Sequence, residues 1–161
     1  MSLYKYVMKK LFIIPLIFFL LQSCGYTPLY SKNTKVNFYI ESLEFNSSDN
    51  ELANFMKMNL RKYLIKNDNL GYEIITSVNY DKNPLSKNSA GLVEEYNLIS
   101  TVHFTIKLKE TSKTYNISES FVMPNFNDEF QEIQYERNIK QNMARSITSK
   151  LLIQLSRLNV N

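Results

Sequence analysis

Apolar and polar residues alternate in four stretches of this chain and recur at helical spacing in two. From Lys35, Val36, Phe38 and Ile40 alternate with polar neighbours, the period-two pattern of a half-buried strand. The phase slips at Leu43 and Phe45, which predicts a bulge or the end of the strand. Ser48-Asp49-Asn50-Glu51 reads as a capping box, with Ser48 as N-cap and Glu51 three residues on. Behind it Leu52, Phe55, Met56, Leu60, Tyr63 and Leu64 fall on one face of a helix. Lys57, Arg61, Lys62 and Lys66 take the other face, and Asn67 to Gly71 ends the helix.

Tyr72, Ile74, Thr76, Val78 and Tyr80 alternate as a second strand, after which Asp81 to Gly91, with Pro84, reads as the longest loop. A third strand points Leu98, Val102, Phe104, Ile106 and Leu108 one way and Asn97, Thr101, His103, Thr105, Lys107 and Lys109 the other. A turn near Thr111-Ser112 joins it to a fourth strand carrying Tyr115, Ile117, Phe121 and Met123, with Glu119 the odd member. Pro124 to Asn127 breaks the chain, and Asp128 can cap a helix running from Glu129 to Leu158. Its stripe is Met143, Ala144, Ile147, Leu151, Leu155 and Leu158. The order β-α-β-β-β-α predicts an α+β domain: a four-stranded mixed sheet with both helices packed on one face. A right-handed crossover makes the first two strands parallel. The other sheet face is polar, and is either solvated or covered by a partner.

Ahead of this domain stands a different pattern. Lys9-Lys10 precedes an apolar run of eleven residues, Leu11 to Leu21, interrupted by Pro15 and followed by Gln22-Ser23-Cys24. At ~1.5 Å per residue a helix of that length covers about half of a ~30 Å hydrocarbon core, so an uncleaved anchor is disfavoured. The charged start, short apolar core and small Ser23 form a secretory signal. Leu21 at −3, Ser23 at −1 and Cys24 at +1 fit cleavage as in bacterial lipoproteins, with Cys24 acylated; an ordinary signal cut elsewhere is the alternative. Met8 offers a second start. The expected organisation is a signal peptide over 1–23, a lipidated tether over 24–33 and a single domain over 34–161. Gly25 rather than Asp after the cysteine points towards the outer membrane.

This reading changes the charge. The whole chain carries +4, but the signal holds Lys5, Lys9 and Lys10 and no acid, leaving 16 bases against 15 acids, a net +1. Basicity therefore gives no case for nucleic acid. Cys24 is the only cysteine, so the domain rests on packing without a disulfide. Candidate chemistry is sparse. The one histidine, His103, lies on the polar strand face, and no Gly-rich loop, HExxH or GxSxG occurs. Glu94-Glu95 is a carboxylate pair beside the long loop, more simply a solvated strand edge. No catalytic residue, metal site or cofactor is expected. Lys107 and Lys109, with Lys113 and Lys87 near the same sheet end, form a candidate cluster for phosphorylated lipid headgroups. Lysines that discourage edge pairing are the alternative.

Cys24-Gly25-Tyr26-Thr27-Pro28-Leu29-Tyr30 resembles the mature start of the LPS-assembly lipoprotein LptE family, in particular its alphaproteobacterial branch. Ala144-Arg145 with Ile147 and Leu151, inside Asn142 to Leu158, resembles that branch's closing helix. Gln22 and the scarcity of glycine and alanine depart from the family pattern. The resemblance implies an outer-membrane lipoprotein facing the periplasm that plugs an LptD-type β-barrel, helps it assemble and helps deliver lipopolysaccharide to the outer leaflet, without catalysis. It carries no lipid-contacting residue onto this chain, so Lys107, Lys109 and Lys113 rest on their own pattern. The alternative is an unrelated periplasm-facing lipoprotein that binds a ligand or scaffolds the envelope.

Overall fold

A computed structural model describes residues 37–158. The signal segment, Cys24, the tether and the Gly25 to Tyr30 motif lie outside the described residues. Strand β1 spans Phe38–Ser47, helix α1 Asn50–Leu60, β2 Leu70–Lys87, β3 Val93–Leu108, β4 Thr111–Pro124 and α2 Glu129–Leu158; a 3₁₀ turn, Arg61–Tyr63, extends α1. The sheet order is β1-β2-β3-β4, with β1 and β2 parallel and the other pairs antiparallel. This is the α+β fold that the alternation predicts.

The phase slip in β1 is a bulge. Ile40 pairs with Tyr72 and Ser42 with Glu73, so Glu41 is the extra residue that returns Leu43 and Phe45 to the inner face. Inward side chains such as Ile40, Ile74, Val102, Phe104 and Met123 then meet Leu52, Met56 and Leu60 of α1 and Met143, Ile147 and Leu151 of α2 in one core. Both helices therefore cover the same sheet face. Each fully buried Leu, Ile or Met contributes about 1.5–3 kcal/mol of apolar burial. Among the described residues no helix is long and apolar enough to cross a membrane.

Three local expectations are corrected. Asp49, not Ser48, is the N-cap of α1: its carboxylate accepts from the Leu52 N–H at 2.8 Å. The Ser48 hydroxyl is engaged across the sheet end, where it accepts from the Tyr80 N–H at 3.1 Å. Most of the expected loop after Tyr80 is strand: β2 runs on to Lys87, paired with β3 as far as Lys87 and Val93. The side chain of Asn88 closes the short connection by accepting from the N–H groups of Ala90 and Leu92, and Gly91 takes the positive φ of 80°. The β3–β4 turn is Lys109-Glu110, two residues before Thr111-Ser112, because Leu108 pairs directly with Thr111. Asp128 does cap α2, accepting from the Phe130 and Gln131 N–H groups.

Candidate interaction surface

Strand alternation builds most of the sheet's outer face from short polar residues. Ser77 and Asn79 on β2, Asn97, Thr101 and Thr105 on β3, and Thr114, Asn116, Ser118 and Ser120 on β4 all point away from the helices. Their side chains bond across the strands. The Thr101 and Ser118 hydroxyls are 3.3 Å apart, and Ser120 donates to Asn97 Oδ1 at 2.6 Å. His103 Nδ1 lies 2.6 Å from Asn116 Oδ1, which engages the only histidine within a strand pair. The result is a broad, mostly uncharged wall of hydroxyls and amides, interrupted by Ile75, Ile99 and Val122, with Glu44 on the edge strand, Asp81 beside Ile99 and Glu73 paired with Lys107.

The lysines do not form one cluster. Lys107 is on the outer face, and Lys109 is in the hairpin turn with φ 53° rather than on the strand. Lys113 pairs with Ile106, so it has the parity of the helix-covered face. Lys87 pairs with Val93 at the opposite end of β2, fourteen residues from Glu73 and so roughly 45 Å away. Only Lys107, Lys109 and Lys113 share a sheet end. Glu94 and Glu95 are successive strand residues directed to opposite faces, and Glu95 accepts from the Ser86 hydroxyl. Among the described residues no three His, Cys, Asp or Glu side chains converge on a metal-sized site.

A second cluster has no single-sequence signature, because its members come from β2, the α1 cap and α2. Lys140 is nearly buried and places Nζ 2.7 Å from Asp49, 3.3 Å from Glu136 and 4.6 Å from the centre of the Tyr80 ring. Lys82 reaches Glu132 at 2.5 Å and Glu136 at 3.0 Å, over the Tyr96 ring, while the Tyr80 hydroxyl donates to Glu136 at 2.9 Å. Burial disfavours the Glu136 carboxylate, but bonds from Lys82 and Tyr80 and the Lys140 charge outweigh it and hold its pKa below the ordinary 4.5. Burial likewise opposes the Lys82 and Lys140 charges, yet their carboxylate partners raise both above 10.5. Burial and Glu136 push the Tyr80 hydroxyl well up from 10.0. Each acid is paired with a base and none is left poised for proton transfer, so the cluster acts as a clamp between helix and sheet. A smaller one joins β4 to α2, where Glu119, the odd member of its strand, accepts from Ser146 and pairs with Lys150 at 2.6 Å.

No family model and no curated protein sequence matches the chain. Solved structures do. The rare lipoprotein B from Shewanella oneidensis is 22% identical with a TM-score of 0.54, over 74% of this chain and 97% of that one. A minor lipoprotein from Acinetobacter baumannii is 20% identical with a TM-score of 0.52, over 74% and 95%. The uncharacterized lipoprotein B from Nitrosomonas europaea is 14% identical with a TM-score of 0.51, over 76% and 87%. At these identities the likeness is one of fold, and it extends over nearly the whole of each lipoprotein domain.

Proposed function

We propose that this chain is an outer-membrane lipoprotein, anchored through Cys24, whose domain seats as a non-catalytic plug in the lumen of an LptD-type β-barrel and assists its assembly and the delivery of lipopolysaccharide. The outer sheet face, most of it uncharged and polar, carries this reading. A barrel lumen is lined with polar residues, and a wall of Ser, Thr and Asn can exchange hydrogen bonds with it without burying charge. The signal ending in Cys24, the resemblance of Gly25 to Tyr30 and the fold shared with lipoproteins support the same assignment. Lys107 and Lys109 at the hairpin end are the proposed lipopolysaccharide contacts.

Purification of the tagged chain from detergent-solubilised outer membranes tests the assignment. A large, heat-modifiable barrel protein is expected to co-purify, and Asn116→Arg with Ser118→Arg, both exposed, is expected to reduce its recovery without unfolding the domain. Recovery of the chain with no barrel protein would overturn the plug reading. Unchanged lipopolysaccharide binding by Lys107→Glu with Lys109→Glu would remove those two contacts.

A further inference from the structure

Along the strands one end of the domain is richer in bases, although Asp68, Glu73 and Glu110 lie there, and the other is richer in acids, although Lys82 and Lys87 lie there. Pairing of Phe38 with Leu70, Glu73 with Lys107 and Leu108 with Thr111 brings the starts of β1 and β2 and the β3–β4 turn to one end. The end of α1 lies there too, since the Tyr63 and Phe38 rings stack with centroids 5.9 Å apart. Lys57, Arg61, Lys62 and Lys66 are exposed at this end and have no carboxylate partner among the described residues. The other end holds Asp81, Glu94, Glu95, Asp128, Glu129 and Glu132.

The basic end is also apolar. Met58 is 70% exposed and Ile65 71%, with Leu64 beside them. Between β1 and α1 an open groove of ≈ 520 Å³ is lined by Glu41, Ser42 and Leu43 of the strand and Lys57, Met58, Arg61 and Leu64. Bases near a helix C-terminus complement its dipole, but that role gives no reason for large apolar side chains to stand in water beside them. Cations interleaved with exposed apolar side chains are what a lipid–water interface accommodates. The described chain begins at Asn37, at this same end, thirteen residues after Cys24, a length that reaches at most about 45 Å.

We infer that the α1 terminus and its 3₁₀ turn dock on an anionic phospholipid surface, with Lys57, Arg61, Lys62 and Lys66 against the headgroups and Met58, Leu64 and Ile65 inserted between them. The choice of surface rests on the lipoprotein reading: a lipid on Cys24 holds the chain at a leaflet, and the basic end turns towards it.

The test uses the full chain carrying Cys24→Ala, so that binding does not run through acylation, with vesicles of phosphatidylcholine and about one quarter phosphatidylglycerol. Binding is expected to exceed that to phosphatidylcholine alone and to fall with salt. A base at such a surface strengthens binding about fivefold, so Lys57→Gln with Arg61→Gln and Lys62→Gln is expected to weaken it about a hundredfold. Met58→Ser with Ile65→Ser, at exposed positions that leave the core untouched, is expected to weaken it roughly tenfold. Residues 11–21 are common to every variant, so their contribution cancels. Binding equal to the parent in either variant, or no preference for the anionic vesicles, would overturn the inference. Capture of lipopolysaccharide micelles with vesicles left unbound would overturn it in favour of a glycolipid site. The mass of the protein with Cys24 intact tests acylation separately, and its failure leaves the vesicle result readable.

Discussion

Asp49 caps α1 with one carboxylate oxygen and holds the Lys140 ammonium with the other. Asp49→Ala removes a cap worth about 1 kcal/mol and one charged partner of a nearly buried lysine, about another 1–2 kcal/mol. A total near 2–3 kcal/mol is expected in urea unfolding. Ser48→Ala, losing a hydroxyl that accepts one strand-end N–H, is expected to cost under about 1 kcal/mol; equal losses would contradict the assignment of the cap. Both residues are good cap formers, and local sequence favours Ser48 through its spacing to Glu51. Long-range pairing decides otherwise, because β2 takes the Ser48 hydroxyl and Lys140 takes Asp49. His103 and Lys107 were legible as outward residues from alternation alone, whereas the opposite facing of Lys113 depends on where the hairpin turns.

Among the elements, α2 is the one whose sequence pattern and packing agree most closely. Its predicted stripe at spacings of three and four is the buried one, and Thr148 beside it accepts a hydrogen bond from Asn59 of α1. Met143→Ala, fully buried where both helices meet the sheet, is expected to cost about 2–5 kcal/mol. Ile153→Ala, on the exposed face, is expected to stay within about 0.5 kcal/mol. A comparison of their denaturation midpoints checks which face is core. The β2–β3 hairpin is the opposite case. Asp81 to Lys87 lacks apolar alternation and contains Pro84, so nothing local announces a strand. It is held by β3 alongside and by Lys82, which bonds to Glu132 and Glu136 on α2.

Across the whole molecule, the clamps set a pH window. Glu136 and Glu119 have folded pKa values below 4.5, so their contribution is complete above that value and is lost as pH falls through the lowered ones. Lys82 and Lys140 are raised above 10.5, so theirs is complete below that value and is lost as pH rises through the raised ones. Urea midpoints are expected to be flat between these limits and to decline outside them. Glu136→Gln is expected to lower the plateau and shallow the acid limb; an unchanged limb would mean that Glu136 does not carry it. A near balance of charge in the sequence also conceals a basic end and an acidic end, which matter for any partner or surface that the domain meets.

The sequence by itself determined the kinds and order of the elements, most residues of the core and the largely polar character of the sheet's other face, and it narrowed the slip in β1 to a bulge or a strand end. These are written in local periodicity, because a side chain's fate on a strand or helix follows from its phase relative to its neighbours. Only the tertiary structure decided which residue caps α1, how far β2 extends, which lysines share a surface, and that Lys82, Glu136, Lys140 and Asp49 form one network. The cap and the network join residues from about thirty to about ninety positions apart, and turn position and strand register, not local preference, decide the rest.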